Sequence, residues 1–172
     1  MFIQYTKKLL NRMNRKKIII IPLALLFVMA VFCLVKPNKV PAPWKIIIYS
    51  EGTQKEVDRN DENFSKIVDL TNKRFKINLS RAKDVVDDSS IEYQQKDDLG
   101  IEFIYPERHT FISLNPFTYD KLYFQLTSKK YGDEQGSVVN TFEYGNNGHY
   151  LDCSRGELYY SEELADMVES IN

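Results

Sequence analysis

The chain has 172 residues, of which 43% are hydrophobic and 27% charged, enough apolar material for one packed domain and too much for wholesale disorder. Its formal net charge of -1 hides a division: residues 1–17 carry Lys7, Lys8, Arg12, Arg15, Lys16 and Lys17 and no acid, while all 24 acidic residues lie beyond position 44. From Trp44 onward the balance is about -9, which excludes the phosphate-neutralising chemistry that a nucleic-acid partner requires.

Behind the basic tail, residues 18–35 (IIIIPLALLFVMAVFCLV) contain no charge. At helical rise this run spans about 27 Å, close to the hydrocarbon thickness of a bilayer. It has no polar face, so it is expected as a transmembrane helix that makes the membrane one partner of the chain. The cations before it place the N-terminus in the cytoplasm and the rest of the chain outside. Val40-Pro41-Ala42 has the small-x-small form of a cleavage site, but Pro43 follows it. Phe32 stands where a lipobox before Cys33 needs a small residue, so a retained anchor is expected rather than a cleaved or lipidated one. Residues 36–43 (KPNKVPAP) then read as a proline-rich linker, an extended spacer of about 25 Å.

Residues 44–172 are expected as one domain. Trp44 to Ser50 reads as an interior strand, with Ile46, Ile47 and Ile48 in succession. Glu51-Gly52 turns it into a polar strand over Thr53 to Val57. A helix from about Glu62 to Lys76 presents Phe64, Ile67, Val68, Thr71 and Phe75 on one face, capped by Asn60 or Asp61. Arg81 to Lys96 has too few apolar anchors to assign. Ile101 to Tyr105 is a strand expected to stop at Pro106, with Thr110 to Leu114 as a possible pairing partner. Lys121 to Thr127 and Val138 to Tyr144 read as hairpin partners across the loop KKYGDEQG. Gly145 to Gly148 is a turn, His149 to Cys153 a short strand, and a final helix begins near Glu162 behind Ser161. The fold class is therefore α+β: an N-terminal transmembrane helix, then one small domain with a mostly antiparallel sheet and two or three helices packed on it.

The phrases WKIIIYSEG, DENFSKIVDLTNKRF, GIEFIY and YDKLYFQLT, in this order, resemble small extracytoplasmic domains of Gram-positive bacteria that follow a signal peptide, a lipobox or a single span. The resemblance covers most of residues 44–172. It implies an envelope location and a compact α+β domain, and it carries over neither an activity nor functional residues.

The chemistry-bearing side chains are few. Cys153 with His149 or His109 is the one arrangement that suggests a thiol nucleophile and its base. Four residues along one strand separate His149 from Cys153 by about 13 Å, too far for a hydrogen bond, so a half-buried strand cysteine is the favoured reading. Two cysteines and two histidines without ligand spacing make no zinc site, and no cofactor or metal is expected. Asp58 to Glu62 imitates the start of a calcium loop, but Asn63 occupies the position that needs glycine, so helix capping is the simpler account. Asp87-Asp88 and Asp97-Asp98 read as solvated surface acids. Glycine-rich phosphate loops and nucleophile elbows do not occur. The reading that follows is a non-enzymatic binding or sensing module at the cell envelope, whose acidity favours a basic protein or peptide partner. The alternative is an envelope hydrolase or thiol enzyme built on Cys153 and a histidine.

Overall fold

The computed structural model describes residues 38–113, 115–128 and 137–171. The basic tail, the expected span at 18–35 with Cys33, and the loop 129–136 lie outside the described residues. Among the described residues no helix is long and apolar enough to cross a membrane.

Strands β1 (Lys45–Ser50) and β2 (Thr53–Val57) form the expected hairpin, with Ser50 opposite Thr53. The two turn residues, Glu51 and Gly52, both have positive φ (49° and 79°), the backbone twist that a two-residue hairpin loop needs. Helix α1 (Phe64–Lys73) buries Phe64, Ile67, Val68, Leu70 and Thr71. It starts later than expected. Neither Asn60 nor Asp61 caps it; Asp58 and Asp61 accept the N–H groups of Asn60 and Asn63 (2.7 and 2.8 Å) and shape the approach to the helix. It also ends earlier, because Arg74 turns inward. Arg74 is 1% exposed, and its guanidinium donates to the carbonyls of Tyr159 (3.1 Å) and Val139 (2.9 Å). Phe75, expected on the helix face, instead opens strand β3 (Phe75–Arg81) and packs against Phe111, Phe124 and Phe142.

The unassigned stretch after Arg81 contains β4 (Val86–Asp87) and α2 (Asp88–Asp97). Asp87 caps α2 through the Ser90 N–H at 2.9 Å. Hydrogen bonds from the Ser90 hydroxyl and N–H and from the Ser89 hydroxyl pull its carboxyl down to about 2. Strand β5 (Gly100–Phe111) does not stop at Pro106. Instead the pairing with β6 (Phe117–Gln125) shifts register between Ile104 and His109, and β1 pairs only as far as Ile104. Pro106 is exposed in the interrupted stretch, where its missing N–H breaks no ladder bond. The expected partner segment at Thr110 is thus the continuation of the same strand. After a two-rung ladder of β7 (Thr127–Ser128) and β8 (Ser137–Val138), β9 (Thr141–Asn146) pairs with β6 as expected. A turn at Asn147-Gly148, both with positive φ, leads into β10 (His149–Asp152). Strand β11 (Arg155–Leu158) and helix α3 (Glu162–Ile171) close the domain. Ser161 Oγ accepts the Leu164 N–H at 3.2 Å, as its predicted capping role requires.

The result is a small α+β domain with a nine-stranded antiparallel sheet and three helices among the described residues. The sheet runs β2-β1-β5-β6-β9, and the far edge of β9 is shared by β10 and β11, which pair in turn with β4 and β3. Residues 38–43, expected as spacer, are held by this domain. Val40 is buried, its N–H donates to Asn72 Oδ1 (2.8 Å), and Asn72 Nδ2 returns a bond to its carbonyl (3.0 Å). Tyr105 and Arg59 donate to the carbonyls of Pro41 and Pro43.

The two faces of the sheet differ in chemistry. One carries Ile46, Ile48, Ile101, Phe103, Leu122, Phe124 and Phe142, and α1 and α3 cover it with Ile67, Val68, Leu164 and Val168. The other carries Tyr49, Glu102, Tyr123, Gln125 and Glu143, and α2 lies over it with Ile91 as its buried apolar contact. Gly100 makes room on this second face: a Cβ there would stand 2.4 Å from Tyr123 Oη. We expect Gly100→Ala to destabilise the domain by about 1–3 kcal/mol in urea unfolding. Unchanged stability would show that Tyr123 has another place to go.

Candidate functional site

The row of residues that crosses the second face is Glu102, Tyr123 and Glu143, facing one another across β5, β6 and β9. All three are buried. Glu102 accepts from Tyr49 (2.8 Å) and from Tyr150 (2.7 Å), one hydroxyl on each oxygen. Burial, reinforced by the Glu102 charge, raises both tyrosines far above their usual range, so they act as donors at any ordinary pH. The Tyr123 hydroxyl has no hydrogen-bond partner, and burial among Asp98, Tyr49, Glu102 and Glu143 raises it as well.

At the β9 end of this row a cavity of about 580 Å³ opens between α2 and the sheet. Its carboxyls are Asp84, Asp98 and Glu143, joined by Gln94, Gln125 and Ser154, with no lysine, arginine or histidine in the lining among the described residues. Gln125 Nε2 donates to Asp98 Oδ2 at 2.6 Å, and Ser154 Oγ donates to Asp84 Oδ2 at 2.5 Å. Two lining oxygens have no partner: Glu143 Oε2 and Gln94 Oε1. Glu143 is 4% exposed. Burial raises its carboxyl to about 8, a contact with Ser154 offsets part of that, and the Asp84 charge adds to it. Burial thus favours the protonated form of this acid among other acids. Among the described residues no three His, Cys, Asp or Glu side chains converge at the spacing of a metal centre.

The residues singled out by sequence lie elsewhere. Cys153 is buried just beyond β10, with Arg81 Nε on its sulfur and its own N–H on Asp152 Oδ1. His149 is exposed, its Nδ1 2.8 Å from Asp88 Oδ2. The His109 ring packs between Tyr105 and Tyr119, at centroid distances of 4.8 and 5.8 Å. Neither histidine hydrogen-bonds the thiol, whose polar neighbours are the Arg81 guanidinium, a donor that cannot serve as a base, and the Asp152 carboxylate. The pairs of acids read as surface residues separate. Asp87 caps a helix and Asp88 holds His149 and the Tyr150 N–H (2.8 Å), but Asp98 is 3% exposed and lines the acidic cavity. The signal for this site was present in the strands: Glu102 and Glu143 each stand beside residues that are fully buried.

No protein-family model, curated protein or solved structure matches this chain.

The pH response of Glu143 is testable by linkage. Between its unfolded pKa near 4.5 and its folded value near 8, the unfolded chain loses a proton that the folded chain keeps, so native stability falls as pH rises. Glu143→Gln removes that loss. Its stability relative to the wild type should be near neutral at pH 4.5 and should improve towards pH 8, by up to about 1.4 kcal/mol per pH unit. A difference that does not vary with pH, measured by urea unfolding across this range, would show that Glu143 titrates normally.

Proposed function

We propose that this chain is a non-enzymatic binding module, tethered to the cell membrane by residues 18–35 and displayed outside it, that receives a cationic nitrogen group of its partner in the acidic cavity under α2. The observation that carries the reading is the pair of unpartnered oxygens, Glu143 Oε2 and Gln94 Oε1, in a cavity none of whose described lining residues is cationic; an arriving cation pairs with Glu143 as its carboxyl gives up its proton. A buried acceptor without a donor is costly, by about 1–3 kcal/mol. A lysine ammonium or an arginine guanidinium brings only donors and a positive charge, and so matches what the cavity lacks. The domain balance of about -9 supports the same partner class by drawing basic segments toward it. Uncharged amides fit less well, because they bring acceptors of their own.

The binding test uses the full chain in a zwitterionic detergent, titrated calorimetrically with tetralysine. Glu143→Gln should weaken binding by at least tenfold, whereas Glu62→Gln, at an exposed position before α1, should change it less than twofold. Equal losses in the two variants would mean that tetralysine responds to overall charge and not to the cavity. The tether is tested separately. Trypsin added to intact protoplasts should cleave the domain, and protection until lysis would overturn the orientation.

The thiol-enzyme reading has less support. Its nucleophile, Cys153, meets Arg81 and Asp152 and neither of the histidines that reading requires.

A further inference from the structure

A second depression, of about 610 Å³, lies near the junction of β9, β10 and β11, and its chemistry is the reverse of the first. Its central group is Arg155, which is 5% exposed. The guanidinium carbon stands 5.0 Å from the Phe117 ring centroid and 5.2 Å from that of Tyr144. Nη2 donates to Tyr144 Oη at 3.1 Å, and Nε has no partner. Among the described residues no carboxylate lies within salt-bridge distance of Arg155. Aromatic faces and a phenol oxygen do not replace a counter-ion, and a buried cation left in this state is costly.

The other charges at the site are already committed to one another. Arg81 Nη2 lies 2.8 Å from Asp152 Oδ1, and Asp152 Oδ2 accepts from Tyr144. Burial alone would push the Asp152 carboxyl up; the bonds from Tyr144 and the Cys153 N–H, together with the Arg81 charge, outweigh it and hold the carboxyl at about 2. Arg81 and Asp152 therefore cancel, and among the described lining residues Arg155 leaves the depression with one net positive charge. We infer that this depression is a binding site for a carboxylate carried on a small carbon body, with Arg155 as its counter-ion. A carboxylate brings one negative charge and neutralises the pocket. A phosphate, with a charge of about -1.5 to -2 at pH 7, leaves an excess beside Asp152. The carbon body has Pro116 and Phe117 to lie against, and the Thr110 and Thr118 side chains complete the lining. A planar carboxylate also matches the guanidinium fork in geometry.

The test follows the Arg155 Nε–Hε resonance by nuclear magnetic resonance, in the full chain in zwitterionic detergent. Sodium propionate is titrated against sodium chloride at equal ionic strength, with inorganic phosphate as a separate arm. A saturating downfield shift with propionate is expected, at a midpoint at least tenfold lower than with phosphate, and chloride should leave the resonance in place. Arg155→Lys keeps the charge but lacks Nε, and its thermal midpoint should not respond to propionate, whereas that of the wild type rises. If the lysine variant fails to fold, the wild-type resonance still decides. A shift that chloride reproduces, a shift that never saturates, or phosphate binding as tightly as propionate would each overturn the assignment.

Discussion

Alternation along a pleated strand is the constraint on which the rest of this domain depends. Ile101, Leu122 and Phe142 are fixed in the apolar core between the sheet and helices α1 and α3. Their immediate successors, Glu102, Tyr123 and Glu143, must then point to the opposite face. That face is also buried, because α2 lies over it. Two carboxyls are in this way carried into the protein by the same pleat that builds the core. Glu102 is accommodated by two tyrosine donors, and Glu143 by keeping its proton. A one-residue slip of β5 or β9 would exchange isoleucine or phenylalanine for acid in the main core, so the register is strongly specified.

The legibility of the sequence follows the same division. Helices α1 and α3 pack on the apolar face and therefore show apolar spacing; the strands β1, β2, β6 and β9 and both turns were readable for similar local reasons. Helix α2 was not readable, because a helix that covers a polar sheet face needs only one apolar anchor, here Ile91, and periodicity counts anchors. Strand β3 was hidden by Phe75, whose position fits the helical stripe of α1 although the chain has already turned at Arg74. Strand β11 is short and begins with two residues, Arg155 and Gly156, that carry no strand signal. The acidic cavity leaves no motif in the sequence, and its residues lack the reactive character of Cys153 and the histidines. The informative feature was a plain carboxylate standing inside an apolar strand.

Strand β9 connects the two depressions. Glu143 faces the acceptor-rich cavity, and its neighbour Tyr144 faces the depression that contains Arg155. One strand thus separates a site short of donors from a site short of an anion. The overall negative charge of the domain describes neither. What each site lacks is local, set by which buried atoms have no partner, and opposite in sign across a single peptide unit.

The edges of the sheet have a consequence of their own. Strand β2 is exposed along Thr53 to Glu56, and its lysine and glutamate side chains are engaged, Glu56 by Lys45 and Lys55 by the Ile171 carbonyl. Along β3, the amide of Asn38 donates to the carbonyls of Lys76 and Ile77, both at 2.9 Å. At these two of the sheet's edges an incoming strand would meet charge at β2 and an occupied backbone at β3. Recognition by backbone zippering is thereby disfavoured, and with it the self-propagating assembly that open sheet edges invite.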